Sequence, residues 1–178
     1  MYFGFTNCPD ICPAEMDKIG EVVSVLGYPY VSPFIRFLTQ VICAEKTHGA
    51  IFQPLFISVD PARDTLPKIR RYLADFHPSF IGATAPSPTT VNPSLDPSAE
   101  PAYLALKSVC KVYRVYFSTP PEADPHGDYL VDHSIFIYLM DPKGEFVEAF
   151  GQAKTTTEIV ERMQSAIEAW ERENGNKT

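Results

Sequence analysis

The chain has 178 residues, 45% hydrophobic and 12% aromatic, which is the size of one domain with enough apolar material to bury a core. Fifteen Lys and Arg stand against 22 Asp and Glu, a net charge of −7, and no basic cluster is present to neutralise a phosphate backbone, so nucleic acid is excluded as a partner. Four cysteines are too few for a disulfide-stapled scaffold, no signal peptide is visible, and no apolar run reaches the 18 residues of a membrane span.

A strand is expected over residues 2–5, followed by a helix that begins near Pro13, because proline suits the first helical position and disfavours helix in the residue before it. Glu15 and Asp17 then fall in its first turn, where they complement the dipole. Residues 54–60 form a short β-branched apolar run of the kind a parallel strand covered on both faces needs. Asp64 is read as the N-cap of an amphipathic helix over 66–76, in which Ile69, Tyr72, Leu73 and Phe76 recur at helical spacing, and Asp60 as a strand-end turn residue. A helix is expected over 103–111 and a strand over 112–117. The most strand-like run, 134–140, turns through Asp141-Pro142-Lys143-Gly144 into a hairpin with 146–150. The last helix, from Thr155 to about Glu173, has its N-cap among residues 155–157 and an apolar stripe of Ile159, Met163, Ile167 and Trp170.

This order is that of an α/β sheet covered on both faces, and a thioredoxin-like fold has it. Residues 27–53 and 84–101 fit no element; the second holds five of the 17 prolines, and both are read as irregular insertions in a single domain spanning 1–178.

Cys8 and Cys12 lie four residues apart, after a strand and at the start of a helix. Ligands bind at the carboxyl ends of strands in open α/β sheets, and a helix N-terminus lowers thiol pKa, so both cysteines are expected to be good thiolates. Such a pair serves either reversible disulfide exchange or coordination of a soft metal. Three intervening residues are one more than thioredoxin-type exchange uses, and Thr6 is not three residues before Cys8 as a peroxidatic site requires. Two thiolates and an imidazole, by contrast, satisfy Cu(I). Of the four histidines, His48, His77 and His126 read as solvated residues of loops or a helix end, whereas His133 directly precedes the strand that pairs beside 2–5 and is the best third ligand. Asp132 is a candidate to orient its ring, but neighbours on a strand point to opposite faces. Cys43, in the first insertion, and Cys110, on an apolar helical face, read as bystander thiols.

Residues 2–13 (YFGFTNCPDICP), 56–64 (FISVDPARD), 113–116 (YRVY), 128–134 (DYLVDHS) and 150–152 (FGQ) closely resemble, in this order, the Sco/SenC proteins. The resemblance implies a thioredoxin-like domain with a glutaredoxin-type core and family-specific loops, acting as a copper chaperone and not as an enzyme. By it Cys8, Cys12 and His133 are the copper ligands, and the copper ion goes to the binuclear copper site of cytochrome c oxidase subunit II. An upstream copper donor and a thiol reductant are implied as further partners. The alternative function is thiol-disulfide oxidoreduction of a partner through Cys8 and Cys12, which as a redox disulfide would also switch metal binding off. The family is tethered by one membrane helix, facing the mitochondrial intermembrane space or the bacterial periplasm. That anchor and the family's N-terminal strands are expected to be absent from this chain, and residues 27–43 exceed the connector the family has there.

Overall fold

The computed structural model describes residues 1–26, 52–85, 100–120, 123–124 and 126–174. Most of both expected insertions, with Cys43 and His48, lies outside the described residues. Five strands form the main sheet: β1 (Tyr2–Gly4), β2 (Leu55–Ser58), β3 (Ile81–Ala83), β6 (Phe136–Met140) and β7 (Phe146–Gly151), in the spatial order β3-β2-β1-β6-β7. β1 pairs parallel with β2, Tyr2 opposite Phe56, and β2 pairs parallel with β3. β6 runs antiparallel to β1, with Tyr2 opposite Ile137, and forms a hairpin with β7. β4 (Phe117–Ser118) and β5 (Asp132–His133) make a separate antiparallel pair with His133 opposite Phe117.

β1 is buried on both faces, as expected for the middle strand of a doubly covered sheet. The face carrying Tyr2, Gly4 and Phe56 meets α1 (Ile11–Val25) and α2 (Leu66–Leu73). A Cβ on Gly4 would lie 3.0 Å from the Cys12 Sγ, and one on Gly82 would lie 2.3 Å from Ile69 Cγ2, so glycine lets both helices approach. Both follow from right-handed crossovers that progress in one direction across the sheet, which puts both helices on one face. The opposite face carries Phe3, whose ring packs 5.9 Å from Tyr113 at the end of α3 (Glu100–Val112) and 5.8 Å from Tyr138. α4 (Thr156–Asn174) packs against α1 through Ile159, Val160, Met163 and Ile167. Near the start of β1, an apolar cavity of about 490 Å³ is lined by Met1, Ile19, Val22, Ile137, Met163 and Trp170.

Several expectations are corrected. α1 starts at Ile11, two residues before Pro13, so no acidic residue occupies its first turn; Glu15 is buried and pairs with Lys18 at 2.7 Å. Asp64 does not cap α2: Thr65 holds that position without a side-chain bond, while Asp64 is buried elsewhere in the network described below. The helix ends at Leu73, not 76. The strand expected at 112–117 is shortened to 117–118 because Arg114, with φ of 53°, closes α3, and the Val115 N–H reaches back to the Cys110 carbonyl at 2.8 Å. β3 answers to no expected strand; it is three residues long and contains a glycine. His77 is half-buried and bonds Ser79 through Nδ1 at 2.7 Å, so it is no freely solvated residue. The hairpin turn forms as expected, with the Asp141 carboxylate accepting the Lys143 and Glu145 N–H groups and Gly144 at a φ of +82°. In α4, Thr155 and Glu158 form a reciprocal capping box.

Candidate metal centre

Gly4 closes β1, and the chain turns sharply so that the Cys8 N–H bonds the Phe5 carbonyl at 3.2 Å. The first N–H groups of any helix lack intrahelical partners. In α1 that of Cys12 donates to the Cys8 Sγ at 3.4 Å, so the first cysteine of the pair partly caps the helix that carries the second. Asp10, at the cap position, makes no side-chain bond. Both cysteines are free thiols; Cys8 is half-buried and Cys12 fully buried.

The tertiary fold brings His133 to this pair across 121 residues, with its Nε2 3.3 Å from the Cys12 Sγ. Its Nδ1 lies 3.0 Å from the Ser134 carbonyl, an acceptor, which assigns the proton to Nδ1 and leaves the Nε2 lone pair directed at the sulfur. The rings of Tyr2 and Phe5 stand edge-on to the imidazole at 6.2 and 5.8 Å. Asp132 is exposed and does not orient the ring; the Ser134 carbonyl does. His133 precedes the strand that runs to Met140, as expected, but that strand begins at Phe136 instead of 134, and His133 itself lies in the short β5.

Electrostatics change one expectation. Burial pushes the Cys12 thiol up to about 12, outweighing the hydrogen bonds from the Phe5 backbone and the Tyr2 hydroxyl that favour its thiolate. Cys12 is thus not a good thiolate in the metal-free protein. Burial also lowers the His133 pKa, which keeps the imidazole neutral and able to ligate. Among the described residues no three His, Cys, Asp or Glu side chains already converge as a finished metal cluster. Cys12 Sγ and His133 Nε2 lie 3.3 Å apart, and the half-buried Cys8 places its Sγ 3.4 Å from the Cys12 backbone nitrogen.

Three hydrogen bonds at the site do not follow from the sequence. Tyr2, fully buried, donates its hydroxyl to the Cys12 Sγ at 3.6 Å. Thr6 donates to Asp64, and Tyr129 to Asp60, at 2.5 and 2.6 Å. The available signal was the polar run Asp60-Pro61-Ala62-Arg63-Asp64 directly after an apolar strand.

A sheet of this order, with a Cys-x-x-x-Cys pair at the head of its first helix and a histidine brought in from the distant strand β5, defines a thioredoxin-like domain with two thiols and an imidazole at one end. The family model described as SCO1/SenC matches residues 1–96 and 102–168. The chain belongs to the SCO1/SenC family. It is 44% identical over 176 residues to "Protein SCO1, mitochondrial" of Saccharomyces cerevisiae, covering 97% of this chain and 48% of that protein. To the human "Protein SCO2 homolog, mitochondrial" it is 34% identical over 171 residues, covering 96% and 51%. Among solved structures, yeast Sco1 with copper bound superposes with a TM-score of 0.69 at 38% identity, covering 99% of this chain and 80% of that one. Copper-bound ScoI of Arabidopsis thaliana gives 0.66 at 33% identity, covering 94% and 82%. The chain spans about half the length of the curated relatives it matches. Among the described residues no helix is long and apolar enough to cross a membrane.

Proposed function

We propose that the protein is a mitochondrial copper metallochaperone serving cytochrome c oxidase assembly, with Cys8, Cys12 and His133 as the Cu(I) ligands. The observation that carries this reading is the 3.3 Å approach of His133 Nε2 to Cys12 Sγ, with the lone pair freed by the Nδ1 contact to Ser134. A neutral imidazole aimed at the buried thiol can serve as a general base in disulfide exchange; beside two thiols it also completes a three-donor set suited to a soft d¹⁰ ion. The copper bound in the related yeast and Arabidopsis structures supports the same cargo.

Loading requires both thiols reduced. As copper enters, Cys12 and Cys8 each give up a proton, and His133 gives up none because it is already neutral. The half-buried Cys8, flanked by exposed Asn7, Pro9 and Asp10, faces the acceptor and is the natural first thiolate to be replaced in ligand exchange. The acceptor is the binuclear copper site of cytochrome c oxidase subunit II, the working surface faces the intermembrane space, and a copper donor and a thiol reductant act upstream. The domain is one unit from residue 1 to 178. Oxidation of Cys8 and Cys12 to a disulfide releases two electrons and two protons and removes two of three ligands.

Titration of the reduced protein with Cu(I) against a chromophoric chelator is expected to show about one equivalent bound, and His133→Ala to bind at least about tenfold more weakly. Equal affinity in His133→Ala, together with reduction of a partner's disulfide at the wild-type rate, would replace this reading by thiol-disulfide oxidoreduction.

A further inference from the structure

The loop between β2 and α2 carries three charged side chains that neither ligate a metal nor exchange a disulfide, yet Asp60 and Asp64 are 0% exposed and Arg63 is 8% exposed. Buried charges persist where they are paired and hydrogen-bonded, so their partners say what they hold. Asp64 faces the cysteine loop. Its Oδ2 accepts the Thr6 backbone N–H at 2.9 Å and the Ser58 hydroxyl at 2.7 Å, and its Oδ1 accepts the Thr6 hydroxyl at 2.5 Å. Thr6 is two residues ahead of Cys8.

Arg63 and Asp60 face the other way. Arg63 donates through Nη2 to the Tyr129 carbonyl at 2.9 Å and through Nη1 to the Gly127 carbonyl at 3.4 Å, and its guanidinium lies 3.4 Å over the Tyr129 ring. Asp60 accepts the Tyr129 hydroxyl at 2.6 Å and Arg63 Nε at 2.5 Å. Tyr129 is four residues ahead of His133. The two halves are one rigid turn, since the Asp64 N–H bonds the Asp60 carbonyl at 2.9 Å and the Arg63 N–H bonds it at 3.3 Å.

We propose that residues 60–64 form a two-sided positioning clamp, with Asp64 gripping Thr6 and Asp60 with Arg63 gripping Tyr129, that holds the cysteine loop and the segment leading into β5 so that Cys8, Cys12 and His133 stand at ligating distance. The inference rests on the reading of Cys8, Cys12 and His133 as the Cu(I) site. Ligands drawn from two segments far apart in the chain, the β1–α1 junction and β5, must be brought into register on binding unless something holds them there beforehand, and preorganisation of that kind appears directly in affinity. Asp60, Arg63, Asp64, Thr6 and Tyr129 are positioning residues; none of them touches the metal.

The test uses Thr6→Val and Tyr129→Phe, which keep shape and remove one hydroxyl each, with Thr6→Ser as the conservative control. Two readouts are taken on the full chain: Cu(I) affinity by chelator competition, and amide hydrogen exchange of the metal-free protein. Thr6→Val and Tyr129→Phe are each expected to weaken Cu(I) binding about tenfold, and Thr6→Ser to stay within about twofold of wild type. Exchange is expected to speed up at residues 6–12 in Thr6→Val and at 129–133 in Tyr129→Phe. Unchanged Cu(I) affinity beside a lowered unfolding midpoint would overturn the clamp and leave these residues a purely structural role. If the wild type binds no Cu(I), the site reading fails, and exchange alone decides the clamp: acceleration confined to those two segments supports it, and acceleration spread over the chain overturns it.

Discussion

Gly4 is where the sheet and the proposed metal site meet, and adding one methyl there tests both. A Cβ at this position would lie 2.8 Å from Tyr2 Cε1, 3.0 Å from Cys12 Sγ and 3.2 Å from Phe56 Cε2. Ordinary contact begins near 3.4 Å, and all three neighbours are 0% exposed, so none can swing into solvent to make room. Gly4→Ala therefore overpacks the core, at a cost of about 1–3 kcal/mol. At about 2.1 cal/mol/K per residue, the 178-residue chain has an unfolding entropy of about 0.37 kcal/mol/K, so the midpoint falls by about 3–8 °C. The methyl also displaces the Cys12 sulfur from its 3.3 Å approach to His133, so Cu(I) affinity is expected to drop along with stability. Thermal unfolding of the reduced, metal-free protein and chelator competition for Cu(I) read the two effects separately. A variant with both values at wild-type level would refute the close packing of β1 against α1 from which they follow.

Tyr2→Phe removes the hydroxyl that donates to Cys12 Sγ and leaves the ring packing intact; alkylation of Cys12 at fixed pH is expected to slow by about two- to tenfold, with an unchanged rate refuting the contact. Burial raises the Cys12 and Cys110 thiols from 9.0 to about 12 and about 11, so the folded chain holds protons that the unfolded chain releases. Their contribution to stability is thus complete below pH 9 and is lost as pH rises, by about 1 kcal/mol per thiol between pH 9 and 10. Urea midpoints over that range are expected to fall less steeply in Cys12→Ala and in Cys110→Ala, and slopes equal to wild type in both would contradict it. Thr155→Ala breaks the capping box of α4 and is expected to cost about 1 kcal/mol in urea unfolding, while leaving Cu(I) affinity untouched because the cap is remote from the cysteines.

The elements legible in the sequence are those with a strong local signal. The apolar runs of β1, β2 and β6, the stripe of α4 and the Asp141–Gly144 turn each declare themselves within a few residues, because period and turn chemistry are local properties. β3 was not legible: three residues with a central glycine have no period, and their place is fixed by pairing with β2 and by the close approach of Ile69. The strand expected over 112–117 is cut to 117–118 because the left-handed residue after α3 is an arginine where glycine is the usual signal. Asp64 was misread for a related reason, since its type and position suit a cap and only the folded chain offers it Thr6 and Ser58.

The sequence by itself determined the chemistry available to this protein: two thiols four residues apart at a strand-to-helix junction, one histidine beside a strand, and motifs in the order of the SCO1/SenC family. Residue type and local spacing are enough for that. Only the tertiary structure decided how the groups behave. It buries Cys12 so that desolvation raises its thiol pKa, turns His133 Nε2 toward the sulfur, and closes residues 60–64 against Thr6 and Tyr129. Burial and contact between residues more than a hundred positions apart are properties of the packed chain, and no local pattern encodes them.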